Sequence, residues 1–231
     1  MGFKVAFFEV LNTLARIENF EKELANLLTS ELRLNVSSEE LANKIKNEWV
    51  NKYNQLISRG AYRSIRQLAR EVISSVIRHY TVSVSPQELE YFSNAASSLI
   101  VEQAILYEDV PETLQKLAEH NIDMYILTNL DNDVAKKILL KYNILRYFKG
   151  VISSDLSRAG KPSAKIFQAA LLRAKTSKDN AVVVSGLIED VVGSKLVGLK
   201  VIYVAREGKR PDIAVDYVVN KLPEIVQIIV G

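Results

Sequence analysis

Residues Phe3 to Leu14, FKVAFFEVLNTL, constrain the fold more than any other stretch. Val5, Ala6, Phe7, Phe8 and Val10 surround a single acid, Glu9. A strand with one wet face would alternate apolar and polar residues. A near-continuous apolar run instead reads as a strand buried on both faces, at the centre of a parallel sheet. Glu9 falls where that strand should end, and Asn12 and Thr13 then supply turn chemistry. In open α/β sheets, ligands bind beyond the carboxyl ends of the strands, near the point where strand order reverses. Glu9 is therefore a functional candidate. The plainer alternative is a strand-end acid satisfied by backbone N–H groups.

Beyond Leu14 the pattern changes. From about Glu18 to Gln103 there is almost no strand signal. Leu24, Leu27, Leu28 and Leu32 recur at helical spacing. Ser37 or Ser38, followed by Glu39 and Glu40, reads as a helix cap with first-turn acids, and Leu41, Ile45, Trp49 and Tyr53 continue one face. A third helix is predicted over Ser64 to Tyr80, with Ile65, Leu68, Val72, Ile73, Val76 and Ile77 inward. Ser85-Pro86-Gln87-Glu88 opens a fourth, since proline suits a first helical turn. His79 reads as a surface or capping residue.

Asp109-Val110-Pro111-Glu112 starts another helix, and from there helices and strands alternate. Strands are predicted at Ile122 to Leu127, Val151-Ile152, Ala181 to Val184, Val201 to Val204 and Val215 to Val219. Helices are predicted over Asp131 to Tyr142, Ser163 to Ala174 and Asp190 to Leu196, with a last one opening at Pro223. This alternation implies a parallel sheet with right-handed crossovers. The fold class expected is α/β, a Rossmann-like parallel-sheet core with an inserted all-helical domain. The core would comprise residues 1–14 and 104–231, and the insert residues 15–103.

Composition removes several function classes. The 231 residues contain no cysteine, which excludes thiolate catalysis, disulfides and zinc–thiolate sites. With two histidines, a His-based metal site or a Ser-His-Asp triad is not expected. The net charge of +3 comes without a Lys/Arg block, so no nucleic-acid partner is expected. No apolar run reaches the roughly 18 residues of a membrane span. The N-terminus lacks the layout of a signal peptide, and the expected location is cytoplasmic.

Four groups of polar residues should arrive at the carboxyl ends of the strands. The first strand brings Glu9 and Thr13, the second Thr128 and Asn129. A loop before a helix brings Lys161, and a later strand brings Ser185, with Asp190 close behind. Two carboxylates, several hydroxyls and an ammonium suit a small anionic substrate, with Thr128, Asn129 and Lys161 holding its oxygens. Taken singly, each has another reading. Thr128 could cap a helix, Lys161 could be a solvated loop charge, and Asp190 could answer a helix dipole.

These residues carry a family resemblance that runs essentially end to end. FFEVLNTL resembles the first motif of the haloacid dehalogenase (HAD) superfamily, YILTN its second, GKPSAKIF its third and VVVSGLIEDVVGSKLVGLKVIYV its fourth. The helical insert sits where that family carries its cap domain. The resemblance implies a hydrolase core in which Glu9, Thr13, Thr128, Lys161 and Ser185 occupy catalytic positions. It also implies that Mg²⁺, if bound, would fall to Glu9 and Asp190.

The departures bear on activity. The family's nucleophile is aspartate, where this chain has Glu9. The phosphatase members' general acid falls at Leu11, the glycine that usually follows falls at Asn12, and an aspartate that helps to hold Mg²⁺ falls at Ser185. An extra methylene displaces the attacking oxygen by roughly 1 Å, which can cost on the order of 10²-fold. Loss of the general acid removes a further factor of about 10²–10⁴. Mg²⁺ demands near-octahedral oxygen geometry, which two altered ligands disturb. The metal-free 2-haloacid dehalogenases are the branch most similar in style, because they too lack the second aspartate and carry serine at the position of Ser185. The stretch Ala61-Tyr62-Arg63-Ser64 is reminiscent of theirs. Their asparagine two residues after that serine is Leu187 here, and Arg16, the nearest candidate for a substrate-binding arginine, reads as a solvated charge. The expected function is thus a HAD hydrolase-like protein for a small anionic molecule, with catalysis weak or lost. The alternative is an active dehalogenase-like or phosphatase-like hydrolase with Glu9 as nucleophile or base.

Overall fold

The structure, a computed structural model, describes residues 2–80, 82–208 and 210–231. In chain order the elements begin with β1 (Val5–Phe8), β2 (Ala15–Ile17) and four helices, α1 (Phe20–Leu32), α2 (Ser38–Ser58), α3 (Ile65–Ile77) and α4 (Pro86–Gln103). There follow β3 (Ala104–Leu106), α5 (Val110–Glu119), β4 (Asp123–Thr128), α6 (Asn132–Lys141), β5 (Phe148–Ser153) and α7 (Ser154–Ser157). The chain closes with α8 (Ala164–Ala174), β6 (Ala181–Ser185), α9 (Ile188–Val197), β7 (Lys200–Val204), β8 (Tyr217–Val219) and α10 (Ile225–Val230). The chain divides into two compact units. One comprises residues 1–16, 60–62 and 105–231, the other 17–59 and 63–104.

The first unit holds a six-stranded sheet in the order β5-β4-β1-β6-β7-β8. Its neighbouring strands pair in parallel. β1 is central, as its unbroken apolar run requires, and all four of its residues are buried. Phe7 and Val5 face a core with Tyr125, Leu127, Val183, Ile166, Phe167 and Val191, beneath α8 and α9. Phe8 points to the opposite face, where its ring meets Phe148 edge-on at 5.9 Å. Successive β side chains take opposite faces, so two buried faces need an apolar residue at every position. Strand order reverses at β1, which places the crevice at the carboxyl ends of β1, β4 and β6. The Val151-Ile152 strand is longer than its apolar pair suggested, because β5 takes in Phe148, Lys149 and Gly150 on the sheet edge.

The second unit is helical. α1 packs on α2 and α4, and α3 on α2 and α4. The six inward residues expected in α3 are all buried. Ser37, Ser64 and Ser85 each accept from the N–H three residues on, and the last two complete capping boxes with Gln67 and Glu88. Along α2 only Leu41 and Ile45 are fully buried. Trp49 is half-buried and meets Phe20 edge-on at 5.0 Å. His79 is exposed just beyond α3.

Candidate functional site

Glu9 lies one residue past β1, and its backbone N–H still donates to the Val184 carbonyl of β6. The side chain is 2% exposed. It folds back on its own loop. Oε1 accepts from the N–H of Val10 at 2.6 Å, the N–H of Leu11 at 3.1 Å and the Thr128 hydroxyl at 2.7 Å. Oε2 is ion-paired with the Lys161 ammonium. Glu9 has the backbone donors expected of a strand-end acid, and it also stands in the polar cluster.

The loop that follows explains its residues. Asn12 has φ of 57°, in the left-handed region, where glycine is favoured and asparagine is the next best tolerated. An asparagine can therefore replace the family's usual glycine. Thr13 does not reach Glu9 or Lys161 through its recorded bonds. Its hydroxyl accepts from the Gly186 N–H at 2.9 Å and donates weakly to the Leu11 carbonyl at 3.4 Å, so it ties the loop after β1 to the loop after β6. A side chain at Gly186 would collide with the Asn12 carbonyl, which is why the two loops can meet.

Lys161 is completely buried, which overturns its reading as a solvated loop charge. Its ammonium has three protons and three acceptors: Glu9, Asp190 Oδ2 at 2.6 Å and the Leu127 carbonyl at 3.3 Å. Asn129 holds the Lys161 backbone on both sides, accepting from its N–H at 2.7 Å and donating to its carbonyl at 3.4 Å. The expected anion-holding carboxamide is therefore committed to positioning the lysine. The Lys161–Pro162 peptide is cis. Thr128 starts no helix, since α6 begins at Asn132, but its oxygen does accept from the Leu130 N–H at 3.2 Å.

Ser185 donates to Asp190 Oδ2 at 2.7 Å and accepts from the Leu187 N–H. Asp190, in the first turn of α9, is wholly buried, and its Oδ1 has no hydrogen-bond partner among the described residues. Burial opposes the charge on Lys161, yet the carboxylates of Asp190 and Glu9 outweigh it and raise the lysine above its ordinary value. Two acids share one cation, and the deficit falls on Asp190. Burial first, then the negative charge of Glu9, pushes its carboxyl up to about 7 despite Lys161.

The same geometry tests the metal expectation. Glu9 and Asp190 both turn an oxygen to the ammonium, and Ser185 offers a hydroxyl in place of a carboxylate. Among the described residues no group of three or more His, Cys, Asp or Glu side chains is placed to hold a metal ion. The donors do not fit a divalent cation, because Lys161 already supplies the positive charge between the two acids.

Further contacts between distant positions surround these loops. Asp109 stands immediately before α5, but its side chain makes no cap bond. It pairs with Arg206 at 2.8 and 2.9 Å and accepts from the Leu222 N–H at 3.0 Å. Partial burial opposes ionisation, but Arg206 and that N–H hold the Asp109 carboxyl below its usual value. Arg206 also donates twice to the Thr13 carbonyl, at 3.2 and 2.7 Å, and lies 3.9 Å from the centre of the Tyr107 ring. Arg16 stands over the same ring at 5.4 Å, so it is not simply a solvated charge. Tyr62 donates to Asp131, just after β4, at 3.1 Å. These partners lie 69 to 193 residues apart in sequence, and no local pattern links them.

Comparison with known proteins bears on the family and the fold. The profile of the haloacid dehalogenase-like hydrolase family matches residues 15–204, beginning just after Glu9 and its loop. A ribulose-1,5-bisphosphate 5-phosphatase from Halopiger xanaduensis is 29% identical over 124 residues, 53% of this chain and 52% of that protein, so the match spans about half the relative's length. The solved structure of the HAD-hydrolase YfnB from Bacillus subtilis, bound to magnesium, covers 99% of both chains with a TM-score of 0.80 at 18% identity. An L-2-haloacid dehalogenase from Xanthobacter autotrophicus, with chloropropionic acid covalently bound, likewise covers 99% of each, with a TM-score of 0.74 at 18% identity. At those identities the likeness is one of fold. With the family profile matched over most of its length and the motifs assembled at one end of the sheet, this chain belongs to the haloacid dehalogenase-like hydrolase family.

Proposed function

We propose that this protein binds a small anionic molecule at the carboxyl ends of β1, β4 and β6, and that its covalent catalysis is weak or lost. The observation that carries this reading is the state of Glu9. A nucleophilic carboxylate needs a lone pair in line with its target at about 3–3.5 Å. Both Glu9 oxygens are already engaged, one by three donors and the other by an ammonium. Leu11 offers no proton to a leaving group.

A second reading is supported by what survives. Thr128, Lys161, Ser185 and Asp190 remain joined around Glu9. The named relatives are a phosphatase and a dehalogenase. On this reading Glu9 is the nucleophile, or the general base for water. A screen with p-nitrophenyl phosphate, sugar phosphates and 2-chloropropionate, with and without Mg²⁺, separates the two. The first reading expects at most trace turnover, unchanged in Glu9→Gln. Robust turnover abolished by that substitution, or a covalent adduct trapped on Glu9, would establish the second.

A further inference from the structure

Three donors of different origin converge on one point. The Val10 N–H, the Leu11 N–H and the Thr128 hydroxyl all aim at Glu9 Oε1, within 2.6 to 3.1 Å. Two of them are consecutive backbone amides on a tight loop, an arrangement that forms a concavity for anions. The third arrives from a different strand. The Lys161 ammonium closes the side of the other oxygen. Such a set of donors around one oxygen is what an oxyanion requires. Here the oxyanion belongs to the chain itself.

A carboxylate one bond further from the backbone can curl back over the N–H groups of the next two residues while keeping an oxygen on Lys161. No donor of the cradle is then left for a ligand, and all three protons of Lys161 are committed. Charge points the same way. The cluster has one cation for two acids, so a further anion is opposed unless Glu9 gives up its place.

We infer that these donors form an oxyanion-binding cradle and that Glu9 is its built-in occupant, so that an external carboxylate or phosphate binds only in competition with the Glu9 side chain. The inference rests on the anion-binding reading above and adds to it the ligand chemistry and the reason the resting site is closed. Glu9→Ala removes the atoms of one acetate and leaves the donors in place. Acetate therefore tests a carboxylate ligand, and inorganic phosphate a phosphoryl one.

The experiment is thermal unfolding of the full chain as wild type, Glu9→Ala and Glu9→Gln, in acetate, phosphate or chloride at matched ionic strength. At about 100 times Kd, Glu9→Ala should gain about 5–10 °C from acetate or phosphate over chloride. Wild type should move by less than about 1 °C. Glu9→Gln should fall between, because its amide oxygen still meets the two N–H groups while its NH₂ faces the ammonium. An alanine variant that unfolds in chloride but folds in acetate supports the same conclusion. If that variant does not fold in any buffer, the glutamine variant decides by gaining more than wild type or not. A folded Glu9→Ala with no anion-specific gain overturns the cradle. A wild type that gains as much as the variants overturns the role of Glu9 as occupant. Neither result depends on turnover, so a failure here is distinct from the discovery of robust hydrolysis.

Discussion

The helical unit and the strand-end cluster are built on opposite principles. In the helical unit each decision is local. Ser64 caps the helix that starts beside it, Gln67 answers three residues later, and the apolar spacing of Ile65 to Ile77 sets the buried face. In the strand-end cluster Glu9, Thr128 and Ser185 each bond locally, but the contacts that join the segments span long stretches of chain. Lys161 reaches Glu9 across 152 positions and Asp190 across 29, by direct hydrogen bonds. The first region is many small contributions that add. The second is one charge arrangement whose members cannot be removed singly without stranding the others.

Lys161→Met should break that contrast most sharply. It keeps the volume but leaves two buried acids without a cation, and removing one partner of a buried ion pair typically costs about 3–5 kcal/mol. Chemical denaturation should show a loss of that size, with a fall in melting temperature of more than about 6 °C. A loss below about 1 kcal/mol would mean that the cluster is as divisible as the helices.

The next effect is on pH dependence. Asp190 sits at about 7 in the fold against 3.8 as its ordinary value, and the charges facing it are Lys161, Glu9 and Glu189. Between those values the native state holds a proton that the unfolded chain releases. The contribution of Asp190 to stability is therefore fully present below about pH 4 and is lost as pH rises through about 7. Asp190→Asn should flatten this slope in denaturation midpoints measured from pH 4 to 8. An unchanged slope would place the proton elsewhere.

Arg206→Ala should cost about 2 kcal/mol, since it removes charged hydrogen bonds to Asp109 and to the Thr13 carbonyl. Amide exchange should rise around Asn12 and Thr13. The smallest effect belongs to the helical unit. Ser64→Ala loses one cap and should cost about 1 kcal/mol, and adding Ser85→Ala should double it, because independent sites add. Marked non-additivity would remove the distinction between the two regions.

The contrast also explains what could be read in advance. The caps at Ser37 and Ser85, the inward face of α3 and the burial of β1 are written within a few residues of where they act. The right polar residues were legible too, because a parallel sheet delivers strand ends to one rim: Glu9, Thr128, Lys161, Ser185 and Asp190 do meet. Their roles were not legible. Thr13, expected at a catalytic position, and Asn129, expected to hold substrate oxygens, bond to the Gly186 N–H and to the Lys161 backbone, which spacing did not foretell. Glu9 and Asp190 were the metal candidates and are bridged instead by an ammonium. Arg206 gave no signal, because its partners, Thr13 and Asp109, lie at other places in the chain. Sequence spacing says which groups share a rim. It does not say which lone pair faces which proton.

The most direct measurement is a high-resolution crystal structure of the wild-type chain grown in phosphate. The account predicts Glu9 Oε1 on the amides of Val10 and Leu11, Oε2 on Lys161, and no phosphate among them. A Glu9 side chain turned away from those two amides with the cradle left empty, or a phosphate held there beside an undisplaced Glu9, would contradict it.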